Sequence, residues 1–97
     1  MQFEWDEHKN KRNQHKHGLS FETAAVVFRD PDVLSELDRR YEDIEERWSS
    51  IGRIGTTVVY VSHTLVESEH GEEIIRIISA RKANRREGRV YFQQANY

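Results

Sequence analysis

The chain has 97 residues, enough for one small domain (residues 1–97) and too few for a Rossmann fold, a barrel or a kinase lobe. It is 36% hydrophobic and 33% charged, so a compact core is possible, although a chain this short buries only roughly 60–65% of its unfolded surface. With no Cys and a formal net charge of -2, it excludes a disulfide framework, a thiolate nucleophile and a thiolate metal site.

No apolar segment follows the charged opening MQFEWDEHKNKR, and runs such as TVVYV fall far short of the roughly 20 residues of a membrane helix. The expectation is a cytoplasmic protein with no membrane partner. The small net charge conceals a split. Lys9, Lys11, Arg12 and Lys16 cluster early, and Arg81, Lys82, Arg85, Arg86 and Arg89 cluster late. Residues 30–47 hold eight acids against Arg39, Arg40 and Arg47. Such a polarised surface can present one face to nucleic acid; the plainer reading is that the charge runs are solvated faces.

In chain order, Phe3 and Trp5 alternate with polar neighbours as a short strand. Asp6 can cap a helix over 7–17, ended by Gly18. Ser20 can cap a second helix, with Phe21, Ala24, Ala25 and Phe28 at core-facing spacing, closed by Asp30-Pro31. VLSELD, RWSSIGRIG and TTVVYVSHTL read as strands, and ESEHGEE as a hairpin turn around Gly71. IIRIISA reads as a central strand buried on both faces, and the basic stretch from Arg81 as a C-terminal helix. The order β-α-α-β-β-β-β-α predicts an α+β fold: an antiparallel sheet of four to five strands, two N-terminal helices and one C-terminal helix, with the helices on one face.

Arg76 interrupts the most apolar strand and is either paired with a carboxylate or positioned for phosphate, which its planar fork suits. Arg81 stands where strand should give way to helix, and Arg81, Arg85 and Arg89 recur every four residues, as do Lys82 and Arg86. Repelling like charges on one helix favour a polyanion or an acidic partner. His8, His15 and His17 lack the spacing of a metal-binding helix, and His17 also suits a helix C-terminus. There is no nucleophile elbow, P-loop or dinucleotide glycine pattern. What remains open is acid–base and electrostatic catalysis on a phosphodiester, without metal or cofactor.

Three blocks carry a family resemblance. The first is W-D-x-x-K-x-x-x-N-x-x-K-H-G-x-S-F on Trp5, Asp6, Lys9, Asn13, Lys16, His17, Gly18, Ser20 and Phe21. The second is E-R-x-x-x-I-G on Glu46, Arg47, Ile51 and Gly52, and the third is I-R-I-I-S-A-R over residues 75–81. Together they resemble the BrnT family of type II toxins across nearly the whole chain. The resemblance implies a RelE-like α+β fold and a metal-independent ribonuclease that stops translation. It further implies neutralisation by a BrnA-type antitoxin, in a heterotetramer that reaches operator DNA only through the complex. By residue type and location, Arg47, Arg76, Arg81 and Tyr91 are candidate catalytic residues, with Arg47, Arg76 and Arg81 stabilising charge on the reacting phosphate. Lys16 and His17 would position phosphate or move protons, and Lys82, Arg85 and Arg86 would hold the RNA backbone. The rival expectation is a non-catalytic antitoxin-binding, co-repressor module. Counted strictly by twos, Arg76 and Arg81 point to opposite faces of one strand.

Overall fold

The computed structural model describes residues 1–95. The elements are β1 (Gln2–Glu4), α1 (Glu7–His17), α2 (Phe21–Ala24) running into a 3₁₀ turn (Ala25–Arg29), and β2 (Leu34–Asp38). A second 3₁₀ turn (Arg39–Tyr41) follows, then β3 (Arg47–Ile54), β4 (Thr57–Glu67), β5 (Glu73–Lys82) and α3 (Arg85–Gln94). One five-stranded sheet has the order β1-β5-β4-β3-β2. Strands β2 to β5 form the expected antiparallel meander. However, β1 pairs parallel to β5, Gln2 opposite Ile74, so the sheet is mixed rather than antiparallel throughout. A parallel pair needs a long crossover, and everything from α1 to β4 supplies it.

Helix α1 begins where the Asp6 carboxylate accepts the N–H groups of His8 and Lys9, at 2.8 and 3.2 Å, and ends at Gly18 with φ 69°. It has no apolar stripe. Its inward residues are Asn10 and Asn13, and two amides do the joining. The Asn13 amide donates to the carbonyls of Leu19 and Ala80, both at 2.8 Å, and accepts the Ala80 N–H at 3.1 Å. It thereby satisfies β5 beyond the point where the three-residue β1 stops. Asn10 accepts the Phe21 N–H at 2.8 Å, fixing the start of α2. Phe21 and Ala24 enter the core as the spacing predicts. The next turn tightens to 3₁₀, and Val27 follows them in place of Ala25, which is only partly buried. These three pack on Val59, Val61, Ile75, Ile77 and Ala80.

Gly52 lies where β3 passes under the 3₁₀ turn. A Cβ there would stand 2.7 Å from Val27 Cγ1 and 3.0 Å from the Val27 carbonyl oxygen. Backbone is part of the obstruction, so Gly52→Ala should cost about 1–3 kcal/mol. At roughly 4–8 °C per kcal/mol for a domain of this size, thermal melting should detect it readily.

Strand β5 departs from expectation in three ways. It runs on through Lys82, so Arg81 belongs to the sheet, and α3 starts only at Arg85 behind an Asn84 cap. It is not buried on both faces, since Arg76 is exposed. It also carries a β-bulge: Ser62 opposes Ser79 and His63 opposes Ile77, leaving Ile78 as the extra residue. The bulge reverses the alternation, so Ile75, Ile77 and Ala80 face the core. Arg76, Ser79 and Arg81 consequently share the other face, which corrects the opposite-face reading. The helices also occupy both faces, because α3 crosses the side opposite α2, where Glu87 bonds Arg81 and lines one groove with Val90, Tyr60 and Ile51.

Candidate nucleic-acid interface

Strand register sets three rows across the face opposite the core. The first is Leu34, Ile51, Tyr60 and Arg81. The second is Glu36, Ser49, Ser62 and Ser79. The third opens with Asp38 and Arg47 and closes with Thr64, Arg76 and Glu4. Helix α3 overhangs the first row and the Arg39–Tyr41 turn stands at the β2 side. Between them lies a groove of about 650 Å³, lined among others by Ser49, Tyr60, Arg81, Arg40, Asn84 and Arg86.

Arg40, Arg47, Arg76 and Arg81 each meet a carboxylate. Arg81 donates through both terminal nitrogens to Glu87, at 2.7 and 3.0 Å, and its guanidinium lies 4.2 Å from the Tyr60 ring centroid. Glu87 is set in place by the helix start, where it accepts the Asn84 N–H at 2.9 Å in a reciprocal capping box. Burial pushes the Glu87 carboxyl upward, but Arg81 and Asn84 outweigh it and hold the group below the usual carboxylate range. In return, Glu87 holds Arg81 protonated more firmly than a free guanidinium. Arg40 grips Asp38 at 2.9 and 2.7 Å and keeps that carboxyl low. Arg47 bonds Glu45 and stacks 4.0 Å from the Tyr41 centroid; Arg76 stands 3.5 Å from Glu4. Such exposed pairs add little stability, but they fix each fork, and a guanidinium has five donors, of which a carboxylate takes at most two or three.

The bulge therefore puts Arg76 and Arg81 on the face that Arg47 of β3 also occupies, with Arg86 beside the groove. Arg85 lies exposed at the start of α3. The remaining candidates sit apart. Lys16 and His17 end α1 on the side of the sheet that α2 covers, where His17 lines a cleft with Lys82, Thr23 and Val59. Tyr91 is fully buried and donates its hydroxyl to Asp30 Oδ2. Asp30 also accepts the N–H groups of Arg53 and Asp32, at 2.7 and 2.9 Å. Burial raises the Asp30 carboxyl, yet the hydroxyl and the two N–H groups together hold it below the usual range. This cluster ties α3 to the 3₁₀ turn and β3.

Sequence reasoning passed over Tyr60, Arg40, Ser49 and Glu87. Two signals were available: Tyr60 alternates with the core residues Val59 and Val61, and Asn84-x-x-Glu87 spells a helix start after Arg81.

On the core side, His63 is 2% exposed, with its ring edge against Phe28 and Nε2 2.7 Å from the Ser50 hydroxyl. Its Nδ1 has no partner among the described residues. Burial pushes its pKa down to about 4, opposed only partly by the neighbouring backbone of Thr64. The unfolded chain, with an ordinary imidazole, binds this proton first. Stability is therefore complete above about pH 6.5 and declines as pH falls toward 4, by up to about 3 kcal/mol. Denaturant titrations at pH 7 and pH 4.5 should differ accordingly, and His63→Phe should flatten that difference.

Among the described residues no helix is long and apolar enough to cross a membrane. No curated protein matches the chain. Residues 5–87, which carry Trp5, all of α1, the whole β2–β5 meander and the Arg81–Glu87 pair, match the family described as the ribonuclease toxin, BrnT, of type II toxin-antitoxin systems. With that match spanning most of its length, the chain belongs to the BrnT family of ribonuclease toxins.

Proposed function

We propose that this BrnT-family chain is a metal-independent endoribonuclease with a RelE-like fold that halts translation in the cytoplasm. A BrnA-type antitoxin neutralises it, and the two form a heterotetramer that meets operator DNA only through the antitoxin. The observation that carries the catalytic part of this reading is the placement of Arg47, Arg76 and Arg81 on one open sheet face, on the two sides of a shared row.

In the proposed reaction the ribose 2′-oxygen bonds to the adjacent phosphorus, its proton passes to a base, and the bond to the 5′-oxygen breaks. A proton goes to that leaving oxygen, and the products are a 2′,3′-cyclic phosphate and a 5′-hydroxyl. Arg81, with Arg76 and Arg47, stabilises the charge that builds on the phosphate oxygens. Arg85 and Arg86 hold the backbone beside the groove. Lys82, Lys16 and His17 hold it where it rounds the end of β5. Tyr91, committed to Asp30, acts as a positioning residue for α3.

The test is induced expression in a bacterium, with and without the neighbouring antitoxin gene, following growth and total RNA together. Growth arrest with RNA breakdown, both reversed by the antitoxin, is expected. An oligonucleotide with 2′-deoxyribose at the cleavage site should resist the purified protein, and cutting of that analogue would sink the mechanism. The co-repressor reading draws on one feature, the carboxylate partner held by each of Arg40, Arg47, Arg76 and Arg81. Intact RNA in cells holding folded toxin would favour it.

A further inference from the structure

The middle row of the open face consists of hydroxyls. Ser49, Ser62 and Ser79 stand in register on β3, β4 and β5, so their side chains follow one another at the strand spacing of about 4.8 Å. Ser49 is 7% exposed and Ser62 8%, and Ser49 lines the groove. None of the three hydroxyls has a hydrogen-bond partner among the described residues, yet none is wholly sealed from solvent. On the other face of the sheet, the Ser50 hydroxyl bonds both the Ser35 hydroxyl and His63 Nε2, each at 2.7 Å. Buried hydroxyls are ordinarily satisfied, and leaving them open is unfavourable unless something enters to accept from them.

The flanking rows indicate what enters. Tyr60 and Arg81 stand about 7 Å to one side, two residues along the strand, and Arg47 and Arg76 about as far to the other. Anionic oxygens on the serine row would be enclosed by fixed guanidinium groups. Hydroxyl and guanidinium donors of this kind contact phosphate and sugar and carry no base information directly. The groove, at about 650 Å³, is of small-ligand size and suits a stretch of single strand. Double-stranded RNA is instead read across a surface of about 16 base pairs.

We infer that Ser49, Ser62 and Ser79 form a phosphate-binding trough for single-stranded nucleic-acid backbone, the substrate site of the ribonuclease read above. The trough holds the strand by its phosphates, independently of base identity.

The probe is a fluorescent 12-nucleotide deoxyuridine strand, which the proposed reaction cannot cleave, titrated into the full chain. Ser62→Ala should weaken binding about three- to tenfold, and the triple Ser→Ala variant more than thirtyfold, with unfolding midpoints near the parent's. Ser62→Thr, which keeps the hydroxyl, should bind within about twofold of the parent. Should the triple variant fail to fold, Ser62→Ala set against Ser62→Thr decides. Equal binding by parent and alanine variants, or no binding by the parent, overturns the trough. Wild-type cleavage rates in the triple variant overturn it while leaving the nuclease standing. Serine-dependent binding by a chain that cuts no RNA supports the trough and overturns the nuclease reading.

Discussion

Arg81→Ala should lower RNA cleavage by about 100- to 1,000-fold, the range seen when one positioned donor to a developing oxyanion is removed. Of the arginines on the open face, Arg81 combines a two-point clamp on Glu87, a Tyr60 ring beneath it and a place on the groove wall. On the proposed mechanism it would meet the phosphate already oriented, so its loss would remove preorganised charge rather than a mobile contact. The fold should survive. The Arg81 side chain is 37% exposed, and such a pair contributes at most about 1 kcal/mol after solvent screening, while Glu87 keeps its capping role at Asn84. Arg81→Lys should recover only part of the activity, because an ammonium keeps the charge but not the fork. The measurement is kcat/KM on a single RNA beside an antitoxin-binding assay. Cleavage within threefold of the parent would remove Arg81 from the chemistry. Loss of antitoxin binding with cleavage intact would assign it to the partner interface.

The largest effect on stability is expected at Phe21. Its ring is fully buried among Ala24, Val27 and the inner faces of β4 and β5, with Trp5 edge-on at a centroid distance of 6.2 Å. Truncating a phenylalanine so placed costs about 3–5 kcal/mol, a large share of the roughly 5–15 kcal/mol that holds a small domain together. Phe21→Ala should melt some 12–40 °C below the parent, taking about 4–8 °C per kcal/mol. Its inactivity in cells would then trace to unfolding, which circular dichroism separates from the folded, inactive Arg81→Ala. A melting point within a few degrees of the parent would mean the core collapses around the gap.

Both residues were visible in the sequence, for different reasons. Phe21 follows a capping serine and opens a helical stripe, and local rules of that kind hold from β1 to α2 because neighbouring residues enforce them. Asp6, Gly18 and Ser20 do what their types suggest. Asn13 shows where local rules end. No pattern announces that an amide on a polar helix will serve the backbone of a strand 67 residues away. The parallel pairing of β1 was hidden for a related reason: its partner is β5, far along the chain, and three residues carry too little pattern to choose a direction. Tyr91 had the residue type of a catalytic helper, yet its hydroxyl is engaged by Asp30, a contact across 61 positions. At Arg81 the residue type was legible and the face was not, because strand alternation is a count and the count slips at Ile78.

That slip makes β5 unequally tolerant of changes in length. Loss of Ile78 would leave a regular ladder, with Ile77 and Ala80 still inward and Arg76 and Arg81 still outward, so a one-codon deletion there preserves both surfaces. Gain of one residue between the two arginines has no such outlet. It would either demand a second irregularity or turn Arg81 into the core beside Val61. The strand already contains its one permitted insertion, and shortening it is the safer direction for this gene to drift.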